Sequence, residues 1–212
     1  MPNRENTTRT ALKKPELPDN QQERLNELAH WIRGFVDGEG CFGVSFIAQP
    51  DIIDPSRPFG RRKSYKTGYQ VGHYFSVVQG ERSKKCLKLI MNFFNVGKIY
   101  INRRHDNHKE NLWHYCVTRR DDLLKVIIPF FETNPLLSAK QADFEIFAEI
   151  VGMTSRKEHK SFDGLIKIAK MTEKMNHKKS REKLIRILRD HTSGSQSVST
   201  KKLLAKDMVP SA

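Results

Sequence analysis

Residues Trp31 to Gly40, WIRGFVDGEG, place two carboxylates at the C-terminal end of an apolar, glycine-notched helix. Leu25, Leu28, Ile32, Phe35 and Val36 recur at three- and four-residue steps, which predicts an amphipathic helix over about 20–38. Gly34 and Gly38 fall on one face of it, and without a Cβ they let a second backbone approach closely. Asp37 and Glu39 fall where the helix macrodipole is already negative, a placement that costs roughly 0.3–1 kcal/mol per acid. Holding a cation would give such acids a use. The same DGEG also suits a helix that simply stops, because glycine is the usual left-handed C-terminal cap.

Downstream, CFGVSFIA at 41–48 alternates as a half-buried strand, with Phe42, Val44 and Phe46 on one side. Pro50, Pro55 and Pro58 then predict a loop ending in a basic run. A second strand is expected over 67–79, with Tyr69, Val71, Phe75 and Val77 opposite Gln70, Gly72, Tyr74 and Ser76. Helical spacing returns at 81–95, strands at 98–103 and 112–118, and a helix at 121–131. The order is α-β-β-α-β-β-α, which predicts an α+β fold: helices on one side of an antiparallel sheet, its other face open. Helices are further expected at 138–151, 161–175 and 180–190, with 153–160 a connector. The expected division is a flexible arm (1–20), a core domain (21–152), a C-terminal helical extension (153–190) and a mobile tail (191–212).

The motif resembles that of the LAGLIDADG homing endonucleases, in which an aliphatic residue and a small residue precede Gly-Phe-Val-Asp-Gly-Asp/Glu-Gly. Ile32, Gly34, Phe35, Val36, Asp37, Gly38, Glu39 and Gly40 fit; Arg33 stands where a small residue is usual. The element order matches that family too, over roughly 22–150. The resemblance implies a saddle-shaped sheet that binds double-stranded DNA and a metal-dependent double-strand cut. Glu39 is then the metal-binding catalytic carboxylate, with the Gly38 carbonyl as a second oxygen. Oxygen ligands suit Mg²⁺, Mn²⁺ is expected to substitute, and Ca²⁺ to support binding without cleavage. Gln79 matches a position that orients water, and Lys140 one that neutralises transition-state charge; Ser138, Arg82 and Lys84 compete with Lys140 for that register. No second copy of the motif occurs, so the resemblance implies a homodimer of the intron-encoded type with Ile32, Gly34, Phe35 and Gly38 at its interface.

A formal charge of +14, from 38 basic against 24 acidic residues, points independently to an anionic partner. A two-stranded ribbon fits the major groove, so outward side chains are candidate base readers. These are Ser45, Ile47, Gln49, Gln70, Tyr74, Ser76, Tyr100, Asn102, Arg104 and Trp113. Arg61, Arg62, Lys66 and Lys98 are candidate phosphate contacts. Two-fold symmetry predicts a pseudopalindromic target.

No apolar run approaches the roughly 20 residues of a membrane-spanning helix. The first residues lack the apolar stretch of a secretory signal. Cys41, Cys86 and Cys116 show no CxxC spacing, which predicts a reducing compartment, a bacterial cytoplasm or an organelle. Three other readings compete. His105, His108 and His114 suggest a His-metal nuclease but sit in a polar hairpin loop. An RNA maturase acting on its own intron would use the same fold and the basic run at 178–189. A basic structural protein explains the charge but not the acids.

Overall fold

The computed structural model describes residues 19–49, 52–53, 61–62, 65–103, 110–175 and 180–190. Helix α1 (Asp19–Glu39) runs without a loop into strand β1 (Gly40–Ala48). A short ribbon follows, β2 (Ile52–Ile53) against β3 (Arg61–Arg62), where the proline spacing had predicted only loop. Strand β4 (Tyr69–Gly80) leads through a 3₁₀ turn (Glu81–Ser83) into helix α2 (Lys84–Phe94), which ends at left-handed Asn95. Strands β5 (Lys98–Asn102) and β6 (Leu112–Val117) complete a fully antiparallel sheet of order β1-β4-β6-β5.

The last strand passes into a helix of three parts: α3 (Arg120–Asp122), a π-helical turn (Leu123–Ile127) and α4 (Ile128–Thr133). Pro129 explains the widened turn. Proline brings no N–H, and its ring would collide with the carbonyl four residues back in a regular helix. Helices α5 (Lys140–Ser155), α6 (Phe162–Thr172) and α7 (182–190) follow. The expected connector at 153–160 therefore begins later. Met153 and Thr154 belong to α5 and are buried, because the apolar stripe of that helix continues through Ile150 and Val151.

The helices cover one side of the sheet. Phe42 of β1 and Phe75 of β4 sit fully buried among the rings of Phe131, Phe144 and Phe147, at centroid separations of 5.2–5.6 Å. Leu165 and Ile168 of α6, Met175 of the turn after it and Leu188 of α7 join the same core. The opposite face carries no helix among the described residues. On it lie Cys41, Gly43, Ser45 and Ile47 of β1, opposite Ser76, Tyr74, Gly72 and Gln70 of β4. The expected α+β saddle is the fold observed.

Candidate active site and nucleic-acid interface

The junction of α1 and β1 sets the site. A Cβ on Gly40 would lie 2.7 Å from the Val36 carbonyl oxygen, so only glycine lets the strand leave the helix this abruptly. Glu39 is consequently the last helical residue, with its side chain exposed. Asp37 turns the other way, into its own chain. Its carboxylate accepts from the Leu137 N–H at 2.9 Å, the Ser138 N–H at 3.1 Å and the Ser138 hydroxyl. Burial alone would raise the Asp37 carboxyl, yet these bonds and the Lys140 charge hold it below the ordinary carboxylate range.

The segment that Asp37 grips leads directly into α5, whose first residue is Lys140. The Lys140 ammonium donates to the carbonyls of Val36 at 2.9 Å and Gly38 at 3.2 Å. A cation on the last carbonyls of α1 offsets both the unpaired acceptors and the negative helix end. Partial burial lowers the Lys140 ammonium below its usual range, against the opposing pull of Asp37, Cys41, Glu39 and Asp143. Ser138 is therefore the partner of Asp37, and Lys140 lies against the last turn of α1.

Gln79 lies two residues past Val77, which pairs with Gly40, so β4 carries it alongside the last turn of α1. Trp113 is its register partner. This corrects one expectation: Trp113 shares the helix-facing side with Tyr115 and is no base reader. Its indole N–H donates to Glu81, and the Lys84 ammonium sits 3.2 Å from its ring centre. Arg82 pairs with Glu110 at 2.9 Å. Lys84 and Arg82 are thus engaged with this cluster.

Two more expectations are corrected by burial. Ile32 is 0% exposed inside its own core, so a second chain cannot meet it. It belongs to the stripe that α1 turns to the sheet; the outer face carries Trp31, Gly34, Phe35 and Gly38. Trp31 stacks on Phe35 at 4.9 Å, and a Cβ on Gly34 or Gly38 would meet nothing within 4 Å. Ser76, 7% exposed, sits on the floor of the open face between Cys41 and Cys116, too deep to reach a base.

The remaining open-face residues stand in register. Tyr74 lies across Gly43, where any Cβ would be 2.2 Å from its ring, and Gly72 leaves room for the Ser45 hydroxyl. Gln49 donates to the Gln70 side-chain carbonyl at 3.1 Å. Ile47, Lys98, Tyr100 and Asn102 are exposed on the same face, and Lys66 is exposed in the turn before β4. His114, opposite Val78 and Tyr100, also faces outward. Arg61 and Arg62 form β3, but their side chains lie outside the described residues, as does Arg104.

The oxygen set suits a hard divalent cation: the Glu39 carboxylate and the Gly38 carbonyl. Among the described residues no group of three or more His, Cys, Asp or Glu side chains converges.

Residues 32–151 match the family model described as LAGLIDADG endonuclease. The chain belongs to this family. A probable intron-encoded endonuclease 2 of Neurospora crassa is 30% identical over 147 residues, 69% of this chain and 28% of that protein. A probable intron-encoded DNA endonuclease 1 of Mycosarcoma maydis is 28% identical over 131 residues, 62% of this chain and 40% of that one. The chain thus spans well under half of these curated relatives. Among solved structures, the homing endonuclease I-TnaI is 34% identical with a TM-score of 0.59, covering 77% of this chain and 97% of that one. I-LtrWI, a LAGLIDADG homing endonuclease bound to target DNA, is 30% identical with a TM-score of 0.61, covering 74% and 47%.

Within this LAGLIDADG chain, sequence reasoning missed His114 and the groove floor of Cys41, Ser76 and Cys116. Counting Trp113 as outward set the phase of β6 one residue off; the register puts His114, opposite Val78, on the open face.

Proposed function

We propose that this chain is a site-specific DNA endonuclease that makes a divalent-metal-dependent double-strand cut as a homodimer. The observation that carries the reading is the division of labour at the end of α1. Asp37 and Lys140 are bound into the chain, while Glu39 is left exposed beside them. An acid at that position is poorly placed for stability and well placed for chemistry. The family membership and the DNA-bound neighbour support the same reading.

Two copies would meet along the open glycine face of α1, which brings both Glu39 carboxylates to one symmetry axis. The chain's match to nearly all of I-TnaI but only 47% of I-LtrWI supports a requirement for a second copy. A two-fold dimer favours a pseudopalindromic duplex, its half-sites about one helical turn apart. Gln70, Tyr74, Tyr100 and Asn102 would approach base edges, while Lys66 and Lys98 approach phosphates.

Glu39 and the Gly38 carbonyl would hold Mg²⁺, with Mn²⁺ as a substitute and Ca²⁺ supporting binding alone. Such an ion, when bound, supplies Lewis acidity toward phosphate oxygens. Lys140 holds a positive charge beside the scissile phosphate and stabilises the extra negative charge of its transition state. Gln79 orients the attacking water from the adjacent strand end. Hydrolysis forms the new P–O bond to water and breaks the bond to the 3′-oxygen, with no covalent enzyme intermediate.

The test is Glu39→Gln. The variant is expected to fold and to bind a selected target in Ca²⁺ with unchanged affinity, but to lose Mg²⁺-dependent cutting by at least 100-fold. Undiminished cutting overturns the assignment of Glu39. Tight binding to intron RNA with no DNA cut from the unsubstituted chain would favour the maturase reading instead.

A further inference from the structure

Strand β4 is longer than its second neighbour. It pairs with β1 from Tyr69 to Val77, but with β6 only from Phe75 to Gly80. Past Val117 the chain turns away into α3, so the edge of β4 from Tyr69 to Tyr74 borders a cleft of about 970 Å³. Its far wall is Thr118 and Arg120 together with the end of α5, Thr154 and Ser155, and Lys157, His159 and Lys160 of the α5–α6 connector. Its near wall includes Ser45, Ile47, Gln70 and Tyr74 of the open face, so the cleft continues the surface proposed to read DNA.

The chemistry of the lining selects an anion. Lys66, Arg120, Lys157 and Lys160 face the cleft against the single carboxylate of Asp121, among the described residues. One Arg120 N–H donates to the Thr154 carbonyl at 2.6 Å, which fixes the guanidinium in the wall. Lys157 is set in the left-handed region, φ 66°, at the bend between α5 and α6. Two imidazoles add to this. The Nδ1 atoms of His73 and His159 are buried and have no protein hydrogen-bond partner. Buried polar atoms are nearly always satisfied, so two orphans at one cleft call for an external partner.

We propose that this cleft is a backbone-phosphate clamp, in which Arg120, Lys157 and Lys160 hold phosphodiester oxygens of a duplex where it runs past the end of the sheet. The proposal rests on the duplex-binding part of the function above, not on cleavage. The clamp carries no base information; it fixes the axis of the duplex on the saddle. It also gives the α5–α6 connector a role that packing leaves open, since Lys157 and Lys160 are exposed there.

The experiment measures duplex affinity against salt, with Ca²⁺ present so that no cutting intervenes. One duplex ends at the sheet margin and another extends a helical turn beyond it. The Lys157→Ala/Lys160→Ala protein should bind the extended duplex about tenfold more weakly, with a log–log salt slope shallower by about 2, and the trimmed duplex unchanged. Equal loss on both duplexes, or on neither, overturns the clamp. A second arm follows the ring resonances of His73 and His159. Shifts with the extended duplex support the clamp, whereas saturation by inorganic phosphate with no response to duplex assigns the cleft to a free anion. Because only binding is read, a chain that binds but never cuts still tests the clamp. A chain that binds no duplex at low salt overturns both.

Discussion

At the scale of single residues, the DGEG acids have opposite fates and the difference is testable. Asp37 accepts three hydrogen bonds from Leu137 and Ser138 and thereby sets where α5 begins and where Lys140 points. Asp37→Asn should cost about 1 kcal/mol in urea unfolding, the small end of the range because the carboxylate is largely open to water. Its turnover should fall more than its DNA affinity, since Lys140 loses its aim. An unchanged kcat with weakened binding would contradict that role. The pH dependence has its own residue. Burial, with the neighbouring Arg120 and His159, lowers His73 to about 4 from an ordinary 6.5. The unfolded chain therefore binds more protons between those values, and stability falls as pH drops from about 6.5 toward 4. Replacing His73 with Gln should flatten that part of the urea-midpoint profile; an identical slope would show that His73 does not carry it. The place of Glu39 at the end of α1 was legible in the sequence because its motif is contiguous. Trp113, Ser76 and Ile32 were misjudged because each depends on register or depth. A strand slipped by one residue exchanges faces, and a polar residue on the correct face can still lie at the bottom of the groove.

At the scale of elements, periodicity predicted the helices and strands to within a few residues, and the departures have local causes. The π-helical turn at Leu123–Ile127 follows from Pro129, which the sequence displays but whose accommodation it does not. The β2–β3 ribbon has only two residues per strand, too short for any alternation to register. In the proposed dimer, α1 is the element on which assembly depends. Its glycines bear no load within one chain, because a Cβ at Gly34 meets nothing within 4 Å. Gly34→Leu should therefore leave thermal stability unchanged or raised by roughly 0.5–1 kcal/mol, as expected for removing glycine from a helix. The same change should block close helix contact, so sedimentation should show a monomer and cutting should disappear. A dimer that persists in Gly34→Leu would mean that another surface joins the copies.

At the scale of the whole molecule, the +14 charge, the open sheet face and the exposed α1 describe one arrangement. In the proposed function, a duplex covers the sheet and a second chain covers the helix. Neither partner could be located by charge alone, which names the kind of ligand and not its place. The phase of the strands points to the place for the duplex, and the single motif copy is what implies a second chain. The central claim is that each of two Glu39 carboxylates serves one DNA strand. The direct measurement joins two copies by a flexible linker, substitutes Glu39→Gln in one of them, and follows a supercoiled plasmid bearing the selected target. The account predicts that the linear product is lost and nicked circles accumulate at most. Linearisation at the rate of the unsubstituted tandem would contradict it.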